Sequence, residues 1–181
     1  MPLQNKGPMM NKLNLMVITA LLTAGCAATY KTNDIKPINN SLDSSLGVLI
    51  SVPDDGSFAH QNYANSGAMT ANALKSAFLR YTSMVDVSSD CHGEECLSEA
   101  FIIKYGYYAK PVILHWEERN TEWSGKPDRI EIQVTIYDTA TRQVVTSSRF
   151  SGKSKWATFG GDHPQELLPE PTNEFVDKLY K

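Results

Sequence analysis

Between residues 115 and 129 the chain places His115, Glu117, Glu118, Arg119, Glu122, Asp128 and Arg129 around Trp116 and Trp123. Paired carboxylates beside a histidine are the raw material of general acid–base chemistry, and His115, Glu117 and Asp128 would carry it. The same residue types on neighbouring hairpin strands also form cross-strand charge pairs on a solvated face. Tryptophan and arginine are the usual anchors of binding interfaces, so the block reads as an interaction face before it reads as a catalytic centre. A second aromatic–glycine stretch, Trp156, Phe159, Gly160, Gly161, Asp162 and His163, is expected to form a loop packed on that hairpin. The candidate face is therefore Trp116, Glu118, Arg119, Trp123, Asp128, Trp156, Asp162 and His163. Nothing matches G-x-S-x-G, H-E-x-x-H, a Walker loop or a dinucleotide fingerprint. The expectation is a protein that is not an enzyme, with no cofactor and no metal.

One cysteine carries a different chemistry. Lys12 supplies a positive start, and Leu13 to Ala24 then runs apolar except for Asn14, Thr19 and Thr23. Such a run is shorter than the roughly 20 residues a membrane-spanning helix needs. A charged start, a short apolar core and small residues at its end describe a secretory signal. Leu22-Thr23-Ala24-Gly25-Cys26 resembles the lipobox of bacterial lipoproteins. That resemblance implies cleavage before Cys26, diacylglycerol on its sulfur and acylation of the new amino group. Ala27, in place of Asp, implies sorting to the outer membrane, with the domain facing the periplasm. Loss of residues 1–25 removes Lys6 and Lys12 and no acid, moving the net charge from −3 to −5. An acidic domain gains little from phosphate polyanions, so nucleic acid is not an expected partner. The expected partners are the membrane, through the acyl chains, and an envelope protein or glycan.

Cys91 and Cys96 stand five apart in the turn-like stretch SSDCHGEEC. In an oxidising compartment two such cysteines pair. Closing so short a loop contributes roughly 2 kcal/mol in the chain-entropy model. Free or redox-active thiols, or a metal site with His92, are the other readings. Zinc, however, wants four ligands, and there is no second cysteine pair.

The elements that must position these residues follow from periodicity. Residues 26–45, rich in Asn, Ser, Thr and Asp, read as the lipidated cysteine and a flexible tether. Residues 46–181 read as one periplasmic domain. Leu46 to Val52 is a continuous apolar run closed by Pro53-Asp54-Asp55-Gly56, hence a buried strand and a turn. Ser66 is the expected N-cap of a helix reaching Tyr81, with Ala71, Leu74, Ala77, Phe78 and Tyr81 on one stripe. Met84 to Val87 is a short strand, and a helical turn or two follows near Glu94 to Ala100. Val112, Leu114 and Trp116 alternate with Ile113, His115 and Glu117. Ile130, Ile132, Val134 and Ile136 alternate with polar neighbours, the pattern of an antiparallel strand with one wet face. Val144 to Phe150 adds a strand and Thr172 to Tyr180 a helix. The sum is an α+β domain, a mixed sheet of about five strands with helices on one face, in the order β-α-β-α-β-β-β-α. The order resembles the amino-terminal domain of TolB and related periplasmic lipoproteins.

A closer resemblance rests on longer blocks. His115-Trp116-Glu117-Glu118-Arg119 with Thr121-Glu122-Trp123-Ser124-Gly125-Lys126-Pro127-Asp128 is similar to one block of a lipoprotein family of unknown function, domain-of-unknown-function family 4823. Ser154-Lys155-Trp156-Ala157, then Gly160-Gly161-Asp162-His163-Pro164-Gln165 and Leu167-Leu168-Pro169-Glu170-Pro171, resemble its second block, and Ser66-Gly67 the start of its first helix. Glu118 stands where the family usually has Asp. The resemblance covers roughly residues 46–180. It implies an envelope address and no activity.

Overall fold

Every second residue of Arg129–Asp138 is Ile or Val from Ile130 to Ile136, and each of the four is 0–1% exposed. Burial of such side chains contributes roughly 1.5–3 kcal/mol apiece relative to exposure, so this strand organises the core around it. The computed structural model describes residues 28–91, 93–119, 126–154 and 163–181. The signal segment and Cys26 lie outside the described residues, as do His92, Glu122, Trp123, Trp156, Phe159, Gly160, Gly161 and Asp162.

The strands are β1 (Thr29–Lys36), β2 (Val48–Ser51), β3 (Ser57–Phe58), β4 (Gln61–Asn62), β5 (Val85–Ser88), β6 (Tyr107–Glu117), β7 (Arg129–Asp138) and β8 (Val144–Lys153). Among the described residues the α-helices are α1 (Ser66–Phe78) and α2 (Pro169–Leu179). Six strands form one mixed sheet in the order β1-β8-β7-β6-β2-β5, and β3 and β4 form a small hairpin. Strand β2 is parallel to both β5 and β6, and the other pairings in the large sheet are antiparallel. The α+β class and the one-sided helices are as expected; the sheet has six strands rather than five.

The sixth strand is a correction to the tether. Residues 29–36 pair with β8 from Thr29–Lys153 to Lys36–Ser147. The stretch is polar because it is an edge: Tyr30 and Thr32 are half-buried while Lys31 and Asn33 face solvent. From there the chain crosses to β2, with Leu42 buried and its N–H donating to the Leu179 carbonyl at 2.7 Å. The turns expected near Glu94 are two 3₁₀ turns, Glu95–Ser98 and Ala100–Lys104.

The two faces of the sheet are covered differently. On one face α1 and α2 pack together over Val48, Ile50, Ala109, Trp116, Ile132 and Phe150. On the other, the 3₁₀ segment covers only the β2–β6–β7 region, burying Leu49, Ile102, Tyr105, Tyr108 and Tyr137 with Cys91 and Cys96. The two cysteines are disulfide-bonded, with Cα atoms 5.4 Å apart, so neither sulfur is left for a metal or for redox work as a free thiol.

Helix α1 starts by an arrangement the sequence does not advertise. Ser66 is not its cap: Asn65 takes that position, in the left-handed region at φ 69° and with no side-chain bond of its own. The cap is Asp55, whose carboxylate accepts from the N–H groups of Gly67 at 2.8 Å and Asn65 at 3.0 Å. The Ser66 hydroxyl instead accepts the Gly56 N–H at 2.7 Å. A side chain at Gly67 would run into the Pro53 carbonyl, which explains glycine there. The helix ends at Phe78, and Tyr81 stacks on Tyr180 beyond it with ring centroids 4.6 Å apart.

Candidate functional site

Strands β6 and β7 bring the charged block to one end of the sheet, where Glu117 pairs with Arg129 and Arg129 with Lys153. A bulge decides which way its residues point. Ile113 pairs with Ile132 and His115 with Glu131, so Leu114 has no opposite number. The extra residue resets the alternation. Trp116 therefore joins Ile113 on the helix face, and Val112 and Leu114 stand on the open face, 38% and 43% exposed. Trp116 itself is 2% exposed, among the largest buried side chains of the core. Its place in the expected interaction face is thus corrected: it is a core residue. Gly56 seats against it, since a Cβ there would meet the Trp116 Cβ at 2.5 Å.

His115 and Glu117 share the opposite face. Glu117 is nearly sealed, its side chain 3% exposed, with Oε2 3.1 Å from His115 Nε2 and Oε1 in an ion pair with Arg119. A buried carboxylate demands such partners, because removing the charge from water costs several kcal/mol. Phe58, from the β3–β4 hairpin, closes the group. Its ring lies edge-on to His115 at 5.0 Å and under the Arg119 guanidinium at 5.5 Å. The Arg119 Nε is buried without a hydrogen-bond partner.

Asp128 is the other buried acid. It accepts the Arg119 N–H at 2.5 Å, its own N–H donates to the Ser154 hydroxyl at 2.9 Å, and its carbonyl accepts the Ser154 N–H at 3.0 Å. Burial raises its pKa above the ordinary carboxylate value, with Arg119 N–H opposing the shift. Glu118 and His163 face outward, paired at 2.8 Å, with the His163 side chain 55% exposed. Tyr63 donates from its hydroxyl to the Glu118 carbonyl at 3.4 Å.

Of the expected face, then, Glu118, Arg119, Asp128 and His163 come together, and Trp116 supports them from the core. Trp123, Trp156 and Asp162 lie outside the described residues. Phe58, Tyr63, Asp55 and Gly56 belong to the same region and carry no signal in the sequence beyond a turn, because their contacts span large separations.

Of the acid–base candidates, His115 lines a shallow cleft of about 200 Å³, together with Arg129, Glu131, Ser151 and Lys153. Glu117 and Asp128 do not line it. A second, larger cleft of about 330 Å³ lies off the carboxyl end of β2, between residues Ser51–Asp55, Gly93 and Lys110–Ile113. Among the described residues no cluster of three or more His, Cys, Asp or Glu could hold a metal ion, and no helix is long and apolar enough to cross a membrane.

Against solved structures the chain is similar to a PelC dodecamer from Paraburkholderia phytofirmans carrying a point substitution, at 10% identity and TM-score 0.60, covering 84% of this chain and 99% of that one. A further PelC dodecamer from the same organism gives 12% identity and TM-score 0.55, over 84% and 94%. A weaker likeness is to lipoprotein GNA1162 from Neisseria meningitidis, at 11% identity and TM-score 0.44, over 74% and 97%. At such identities the PelC likeness is one of fold. No curated protein matches the chain. Residues 41–179 match the family model of DUF4823, described as a domain of unknown function. With most of its length inside that match, and with both quoted sequence blocks within it, the protein belongs to the DUF4823 family.

Proposed function

We propose that this protein is a lipid-anchored component of the bacterial outer membrane, its domain facing the periplasm and acting as a non-catalytic module that binds another envelope protein or glycan. Residues 1–25 act as the signal segment and Cys26 carries the acyl chains. What supports the binding reading is the arrangement at the β6–β7 end of the sheet. His115, Glu117, Arg119 and Asp128 are engaged with one another and with backbone, and they do not line one concave pocket as acid–base machinery would. Their bonds instead hold the chain on either side of 120–125, and Ser154 with His163 ties in the second family block. A rigid base joined in sequence to two family-specific segments suits presentation of those segments to a partner.

The test is photo-crosslinking in intact cells from a probe at position 163, read by mass spectrometry, with and without Trp123→Ala. The expected result is a discrete adduct whose yield falls several-fold in the variant. Equal yields would remove the proposed face.

A second reading, a small polar ligand, is favoured by the larger cleft. It lies at the carboxyl end of β2, from which the chain leaves through α1 to β5 on one side while β6 lies on the other. Ligands of open α/β sheets collect at such switch points. Native mass spectrometry comparing wild type with Val112→Trp would find an adduct in the first alone.

A further inference from the structure

Strand β1 begins three residues after Cys26, which fixes where the acyl chains must meet the fold. Three residues reach at most about 10 Å, so an anchor on Cys26 holds the Thr29 end of the sheet at the membrane surface. Thr29 pairs with Lys153 and Lys153 with Arg129, and Lys31 stands two residues along on the same, helix-free face. Strands lie about 4.8 Å apart, so all three cations fall within a couple of strand widths of the anchored end. Lys31, Arg129 and Lys153 are exposed, and none of them forms an ion pair with another described residue. The carboxylates nearby on this face are already held: Glu131 by Arg149 at 3.3 Å, and Glu117 by His115 and Arg119. Arg129 and Lys153 also flank the shallow cleft lined by Ser151. The mature chain is acidic, so an anionic membrane would attract this cationic corner against a net repulsion.

We infer that Lys31, Arg129 and Lys153 form a docking face for anionic phospholipid headgroups, which turns the open face of the sheet toward the membrane at the β1 end. The inference rests on acylation of Cys26. A lipid anchor alone sets distance but not orientation; the cations supply orientation. Each basic residue close to an anionic bilayer contributes roughly fivefold to association, and salt weakens it because the Debye length at 0.15 M is about 8 Å.

The test uses the full chain as processed in cells, purified from membranes in detergent and returned to vesicles carrying headgroup-nitroxide lipid. The vesicles are phosphatidylcholine with or without phosphatidylglycerol. A fluorophore is placed at Ser151→Cys, or at Thr141→Cys in the β7–β8 turn at the other end of the same strands. Quenching at 151 that exceeds quenching at 141, only with phosphatidylglycerol, is expected. Arg129→Gln should lower the docked-to-free ratio roughly fivefold, and Lys31→Gln with Lys153→Gln added should lower it roughly a hundredfold. Equal quenching at both positions, or indifference to phosphatidylglycerol, would overturn the docking face and leave the anchor standing. The intact mass is measured first; a mass without acyl chains would overturn anchor and docking face together.

Discussion

The two faces of this sheet are built by different means. The helix-covered face is largely apolar and periodic: Ile130 to Ile136, Ile50, Leu74, Phe78 and Phe175 meet in one cluster. The opposite face is closed by an irregular segment held through polar stitches. Tyr108 donates to the Gly93 carbonyl at 2.8 Å, and Tyr137 donates to Glu94 at 2.8 Å. Lys110 reaches the same carboxylate at 3.2 Å, and the Cys91–Cys96 bond fixes the segment itself. A face assembled from burial tolerates no loss of volume. A face assembled from stitches should open locally while the other stays folded.

The sharpest way to break this contrast is Trp116→Ala, which empties the helix-covered face at the β6–β7 end, beside Gly56. A loss of about 3–5 kcal/mol is expected in denaturant unfolding; a loss near that of a surface substitution would place Trp116 outside the core. Arg119→Ala should follow at about 3 kcal/mol, since it leaves Glu117 buried with His115 alone. The double variant Glu117→Gln with Arg119→Met should recover part of that loss, and failure to recover would deny the pair its role.

On the stitched face, Cys91→Ser with Cys96→Ser should cost roughly 2 kcal/mol. Amide exchange should rise through 93–105 and remain unchanged in β7; a uniform rise would make the two faces one cooperative unit. The smallest effect concerns Asp128. Burial raises its native pKa, so the native state binds more protons than the unfolded one from the ordinary aspartate value up to the raised one. Stability therefore falls as pH climbs through that window. Asp128→Asn should flatten the decline in thermal unfolding followed from pH 4 upward, and an unaltered slope would assign the effect to another group.

How much of this was legible follows the same division. The alternation of Ile130 to Ile136 states its strand outright, because one wet and one dry face leave a period of two. The helical stripe of α1 and the local Cys91–Cys96 pair are equally plain. Strand β1 is not, because an edge with one partner needs little apolar content, and of its two apolar residues Tyr30 is half-buried and Ile35 exposed. Trp116 misleads for a different reason: a bulge at Leu114 moves it to the other face, and nothing in the residue types marks the reset. Asp55 caps α1 from eleven residues before its first residue, Ser66, which no spacing rule anticipates. At the site, charged residues in sequence order suggested a cluster, and Glu117, Arg119, Asp128, Glu118 and His163 do gather. Which of them are buried was decided by packing from β3, β4 and β6.

In the proposed function Cys26 is the point at which the chain joins the envelope. Metabolic labelling of cells with an alkyne palmitate analogue, followed by capture of this protein and of Cys26→Ser, tests that directly. Label on the wild type and none on the variant is expected. A wild-type protein that carries no label would contradict the anchor, and with it the placement of the sheet at the membrane.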